Sequence, residues 1–343
     1  MDVSSTRPLG RSGLKVTIAS LGGGGLGNFF RVIDDASAAS VVDAAWGAGI
    51  RYYDTAPFYG RGRSERRLGA WLDHKSRDSF VLSTKVGRLM APARGDLEED
   101  GIFLDPSPFN SIYDYSYDGV MRSHEASLQR LGLDRIDILL VHDIGEMMHG
   151  DDAPGHLHAL KTGGMKALEE LRSAGAIAGY GLGVNEVAAC LDCLDYGDPT
   201  AFLLAGRLTL LEQNGVKPLL AKCLERQVSL IVGGVFNSGI LATGAVPGAR
   251  YNYAEADEAA LAQVRKLETV CAAHDVPLSH AALQFPLTHP AVASVLIGAG
   301  TVSSVDRSIA GLSTAIPDAL WRDLADQGLV DAELAAAAAQ HPG

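Results

Sequence analysis

The segment RIDILLVH (135–142) carries an unbroken apolar run, Ile138–Val141, that ends on a histidine. A strand covered on one face alternates apolar and polar residues. A run apolar at every position implies a strand buried on both faces, as in a parallel sheet flanked by helices. Working outward, FVLSTK (80–85) is the preceding strand, and a helical stretch at 118–131 lies between the two. IAGYGLGV (177–184) follows a helical stretch at 163–174. Towards the N-terminus, VTIASL (16–21) and IRYYD (50–54) read as strands. Residues 36–48 and 64–73 read as helices, with Ser64 as the N-cap of the second. Towards the C-terminus the strands are 201–205, VSLIVGG (228–234) and ASVLIGA (293–299). They are separated by helical stretches at 186–196, 215–226 and 256–274 and followed by one at 303–311.

Strict strand–helix alternation implies parallel βα units, in a closed barrel or a doubly wound open sheet. Eight such units in 343 residues fit an α/β (β/α)8 (TIM) barrel better. TRPLGRSGLKV (6–16) reads as a hairpin plugging the N-terminal end of the barrel. The composition does not change along the chain, so residues 1–343 are expected to form one domain, with the core at about 8–327 and a low-complexity tail at 330–343 whose last residues fray. The longest insertions, 88–116 and 143–160, follow strands and so belong to the C-terminal face, where barrel enzymes place their sites.

A formal charge of −12 argues against nucleic acid or an anionic membrane as partner, because both demand a basic face. A small-molecule substrate is the expected partner, and the oligomeric state is not readable. No stretch reads as a membrane span or a signal peptide, so the expected location is the cytoplasm. Cys190 and Cys193 form a C-x-x-C pair inside an apolar helical run with no second pair at zinc spacing, and ordinary packing accounts for them. Trp46 and Trp71 are expected in the core, and His156 and His158 read as exposed insertion residues rather than metal ligands. No metal site is expected.

Four polar residues fall at or just beyond successive strand ends: Asp54, Tyr59, Lys85 and His142. Together they suit hydride transfer at a carbonyl carbon. The oxygen changes charge in the reaction and needs a proton donor or acceptor. A phenol with an ordinary pKa of about 10 needs a neighbouring cation to serve, a carboxylate holds that cation, and a histidine can orient the oxygen. On this reading Lys85 brings the Tyr59 pKa below 10. GGGGLG (22–27) satisfies G-x-G-x-x-G, but a run this rich in glycine matches many patterns and no clean helix follows at once, so the dinucleotide fingerprint is set aside.

With these residues in place, the chain resembles the aldo-keto reductase family. The resemblance runs from about residue 8 to 327 and is carried by YYDTAPFYGRGRSERRLG (52–69), LSTKVG, DILLVHD (137–143) and GLGVNE (181–186). It implies that Asp54, Tyr59, Lys85 and His142 are a catalytic tetrad and that Asn185 binds the nicotinamide carboxamide. It also implies a cofactor site including Gly23, Arg207 (where relatives often carry Gln), Ser238, Gly298, Gly300, Thr301, Asp306 and Arg307. Relatives often stack a Tyr on the nicotinamide from the loop after strand seven. Here the register offers Gly233, so either Phe236 stacks or that face is bare. Gly300 and Thr301 stand where NADPH-dependent relatives carry a cation followed by Ser. The missing cation and Asp306 favour NAD, with NADP the alternative because Arg307 is nearby. Within the family, VHDIG, LLAGRLTLLEQ and NSGIL resemble the aldose and pyridoxal dehydrogenases, which implies oxidation of a cyclic hemiacetal to a lactone. An NADPH-dependent aldehyde or ketone reductase and a non-catalytic nicotinamide-binding redox sensor or subunit are the competing readings.

Overall fold

The structure, a computed structural model, describes residues 1–339. Eight parallel strands close into a barrel in which each strand pairs with the next in sequence and the eighth with the first. We label the barrel strands β1 (Ala19–Gly22), β2 (Tyr52–Asp54), β3 (Val81–Val86), β4 (Ile138–His142), β5 (Gly179–Val184), β6 (Ala201–Ala205), β7 (Ser229–Gly233) and β8 (Val292–Gly298). β3, β4 and β5 are buried at every position, as an apolar run covered on both faces requires.

The run expected as one strand at 16–21 is two. Lys15–Thr17 pairs antiparallel with Thr6–Pro8, and the chain then turns into β1. The resulting hairpin closes the N-terminal end. Its Leu9 and Val16 pack with Tyr52, Val81, Ile138, Leu140, Leu203 and Ile231 inside the barrel, and Arg7 donates to the Val292 carbonyl at 2.6 Å.

Other expectations also need correction. Ser64 is not an N-cap. Gly62 holds that position, and the buried Ser64 hydroxyl donates to the Gly23 carbonyl at 2.7 Å, tying the helix Arg63–Leu72 to the loop after β1. Trp46 and Trp71 are half-buried outside the barrel, 5.5 Å apart, with Lys75 Nζ 4.3 Å above the Trp71 ring. The tail forms a helix, Ala332–Ala339, that buries Leu334, Ala335 and Ala338; the fraying expected of the last residues concerns positions outside the described ones. The four cysteines are free and buried.

The 88–116 insertion folds as an antiparallel hairpin, Arg88–Pro92 with Phe109–Tyr113. Its base closes where Asp114 N–H donates to the Gly87 carbonyl at 3.0 Å. Arg61, 3% exposed, pins it from below by donating to the Phe109 and Glu98 carbonyls and pairing with Asp100 at 3.1 Å. The 143–160 insertion is a set of short helical turns. Among the described residues, no helix is long and apolar enough to cross a membrane.

Candidate active site

Register brings the site together. Asp54 ends β2 opposite Ser83 on β3, Lys85 lies opposite Leu140 on β4, and His142 ends β4 opposite Gly183 on β5. Lys85 Nζ donates to Asp54 Oδ2 at 2.6 Å and to the Thr55 carbonyl at 2.9 Å. Ser83 donates to the other Asp54 oxygen at 2.7 Å. The pair is buried inside the barrel, where a charge persists only with partners such as these. Gly183 makes room for it, because a Cβ there would lie 3.1 Å from Lys85 Cε.

Tyr59 reaches the same point from the loop after β2. Its ring centre lies 4.7 Å from Lys85 Nζ and 5.9 Å from the His142 ring, which it meets edge-on. Gly27, at the end of the glycine run, lets that loop approach, since a Cβ there would fall 2.6 Å from the Tyr59 carbonyl carbon. Gly25 does the same on the other side, where a Cβ would fall 2.1 Å from the Ala299 carbonyl, so these glycines of the run serve close backbone packing.

The electrostatics overturn one expectation. Burial pushes the Tyr59 phenol up to about 12, and the Lys85 charge only partly offsets it. Sequence supplied the neighbouring cation but not the depth of burial, which disfavours the phenolate. Burial also works against the Lys85 ammonium, but Asp54 and Tyr59 outweigh it and hold its pKa above the ordinary value. His142 is held well below its ordinary value by burial, Arg88 and Lys85, so its imidazole is neutral. Neutral His142 can donate one hydrogen bond to a substrate oxygen, Tyr59 can exchange a proton with that oxygen, and Lys85 stabilises the phenolate.

Around this centre lie Phe103, Arg88 and Asp143, which the sequence did not single out, and Tyr115 and His149, which it offered as aromatic and polar residues of the insertions. Phe103, from the 88–116 insertion, stacks on Tyr59 at 5.6 Å and meets Phe58 edge-on at 5.3 Å. Arg88 lies 4.1 Å above the Phe58 ring and pairs with Asp143, the residue after His142. Tyr115 donates to the His142 carbonyl at 2.7 Å, and its hydroxyl is 2.9 Å from His149 Nε2. His156, expected to be exposed, is half-buried against His149, 4.2 Å between ring centres; His158 is exposed.

The expected cofactor residues spread along the rim from β1 to β8. Asn185, just past β5, donates from its side-chain amide to the Ala205 carbonyl at 3.2 Å and the Tyr253 hydroxyl at 3.4 Å. Arg207 donates to the Asn185 carbonyl at 2.8 Å and to Asn252 at 3.3 Å. Phe236 is half-buried against the core. Ser238 accepts from the Tyr253 amide at 2.9 Å, which brings Tyr253, an exposed aromatic from the loop after β7, to Asn185. Gly23 lies against Ser64 and Asp54. Gly298 and Gly300 face open space where a Cβ would stand. Thr301 caps the helix Val302–Ser313, Asp306 is exposed, and Arg307 reaches back to Ser303 and Ser304 at 3.4 and 3.5 Å. An open glycine rim leading to a capped helix N-terminus, with an amide side chain at its inner end, fits an extended dinucleotide.

The aldo/keto reductase family model matches residues 20–326. The chain is 42% identical to pyridoxal 4-dehydrogenase of Microbacterium luteolum and 36% identical to D-threo-aldose 1-dehydrogenase of a Pseudomonas species. In both cases the alignment covers 96% of this chain and 99% of the relative. Among solved structures, the holo form of an aldo-keto reductase from Bacillus halodurans superposes with a TM-score of 0.75 at 24% identity, covering 96% of this chain and 97% of the other. A glycerol dehydrogenase from Gluconobacter oxydans gives 0.71 at 18% identity, covering 94% of each; these two likenesses speak for the fold. By sequence and by barrel, the chain belongs to the aldo/keto reductase family, oxidoreductases that act on small molecules with a nicotinamide cofactor.

Proposed function

We propose that the enzyme oxidises a cyclic hemiacetal to its lactone with NAD. Support comes from one observation above all. The two relatives that align over nearly the full chain are named for pyridoxal and for an aldose. Both compounds close into rings in which a carbon bears one hydroxyl and one ring oxygen. Such a carbon gives up a hydride and its hydroxyl gives up a proton.

The nicotinamide, when bound, supplies the hydride acceptor. Tyr59 takes the hydroxyl proton, and Lys85, fixed by Asp54, stabilises the phenolate that must exist beforehand. Neutral His142 donates to the same oxygen and fixes its direction. Asn185 and Arg207 hold the nicotinamide end, with Phe236 or Tyr253 beside it, and Gly23 and Ser238 border the middle. Gly298, Gly300 and Thr301 border the adenosine end.

Gly300 and the exposed Asp306 support NAD over NADP, because no cation stands at Gly300 and Asp306 repels a 2′-phosphate. Arg307, lying along Ser303 and Ser304 at the helix N-terminus, supports the competing NADPH reductase reading. Lactone formation from pyridoxal, L-fucose, D-arabinose and L-galactose, each with NAD and with NADP, tests both. Lactone from none of them rejects the hemiacetal reading, and a preference for NADP rejects the cofactor assignment.

A further inference from the structure

Arg88 is 2% exposed, too deep to meet a ligand, yet it pairs with a carboxylate at the centre of the site. That carboxylate is Asp143, whose side chain is 16% exposed. Its backbone takes the left-handed region at φ 50°, unfavourable for a residue with a Cβ, and the turn is held by three contacts. Asp143 N–H donates to the Gly183 carbonyl at 3.0 Å, Tyr115 donates to the Asp143 carbonyl at 3.3 Å, and Arg88 grips the side chain. The side-chain contacts run through Oδ2, which faces Arg88 and lies 3.5 Å from His142 Nε2. Oδ1 has no hydrogen-bond partner among the described residues. Oδ1 is not among the enclosed polar atoms, so the carboxylate presents one oxygen to the open site, one residue from the histidine placed to meet the reacting oxygen.

Resting on the hemiacetal reading, we propose that Asp143 is the specificity-determining residue for a polyhydroxylated substrate. Its Oδ1 accepts from the hydroxyl on the carbon next to the reacting one, and Arg88 is the positioning residue that keeps it ionised and aimed. The substrate class is then an aldose ring, which carries such a hydroxyl donor. Pyridoxal offers instead a phenolic oxygen that readily ionises, and an anion is repelled by a carboxylate.

The groups facing Asp143 are Arg88 and Lys85, which favour its charge, neutral His142, the hydroxyls of Tyr59, Tyr113 and Tyr115, and His149, which meets its backbone and whose pKa burial lowers to about 4. Burial alone drives the carboxyl towards its neutral form, and Arg88 is the main opposing influence. Without Arg88 the acceptor therefore protonates at a higher pH.

The test compares L-fucose with 2-deoxy-L-fucose, reading the ratio of their kcat/KM values so that general damage to a variant cancels. The wild-type ratio is expected to be roughly ten to a hundred, as befits a hydrogen bond to a charged group. Asp143→Ala, which removes the acceptor, collapses it to within about threefold of unity. Arg88→Met collapses it at low pH and regains it as pH rises and the carboxylate ionises, a recovery that a merely structural role for Arg88 would not produce. A wild-type ratio near one, an unmoved ratio in Asp143→Ala, or a pH-independent ratio in Arg88→Met overturns the proposal. If the wild type oxidises pyridoxal but no aldose, the hemiacetal reading stands and this proposal falls. If it oxidises neither, the reading itself fails and takes the proposal with it.

Discussion

Lys85 Nζ lies 4.7 Å from the centre of the Tyr59 ring, close enough to stabilise a phenolate, yet the Tyr59 pKa stays near 12 because the phenol is buried. In the enzyme without ligand, log(kcat/KM) for oxidation should therefore rise with pH and show no plateau below pH 10. Lys85→Met removes the influence that lowers the Tyr59 pKa, so the alkaline limb should move further up and the neutral-pH rate should fall. A limb and a neutral rate both unchanged in Lys85→Met would make Lys85 structural.

Tyr59→Phe removes the hydroxyl and keeps the ring that stacks on Phe103. The expected loss in kcat is roughly 10²–10⁴, with NADH affinity, followed by fluorescence titration, nearly unchanged. More than about a tenth of wild-type kcat would take Tyr59 out of the proton transfer.

Gly183→Val puts a branched side chain where even a single Cβ would stand 3.1 Å from Lys85 Cε. Overpacking of this kind costs about 1–3 kcal/mol, so the thermal midpoint should fall. The displaced Lys85 should lose Asp54, and the pH profile should resemble that of Lys85→Met. An unaltered profile would show that Lys85 can be accommodated elsewhere without loss.

Gly300→Arg restores a cation beside the Thr301 cap. NADP binding relative to NAD should tighten about ten- to a hundredfold, the worth of one charge-assisted contact. Fluorescence titration with both reduced cofactors measures it. A ratio that does not move would mean that the adenosine end lies elsewhere.

The grouping of Asp54, Tyr59, Lys85 and His142 was legible because three of the four sit at strand ends, where apolar runs announce the strands and the next polar residue announces the rim. Residues that matter through contacts between distant segments were not. Phe103 meets Tyr59 across 44 positions of chain, and Arg88 meets Asp143 across 55. No local pattern encodes either approach. The strands of the 88–116 hairpin are half-buried at most positions with no alternation of burial, so the segment reads only as an insertion. Ser64 is a good capping residue by type, but a buried carbonyl in the loop after β1 claims its hydroxyl. Tyr59 shows the limit on the electrostatic side, since neighbours in sequence name the charges and only the fold sets their dielectric.

The bond from Asp114 to the Gly87 carbonyl has an evolutionary consequence. A segment whose two ends meet at the barrel rim can be lengthened, shortened or exchanged without shifting the strands that carry Asp54, Lys85 and His142. This one carries Arg88 and Phe103 together, so a single recombination event between homologous genes could change at once what grips Asp143 and what stacks on Tyr59. Asp54, Tyr59, Lys85 and His142 would be inherited unchanged, and new surroundings for them could arise by discrete exchange instead of by accumulated point mutation.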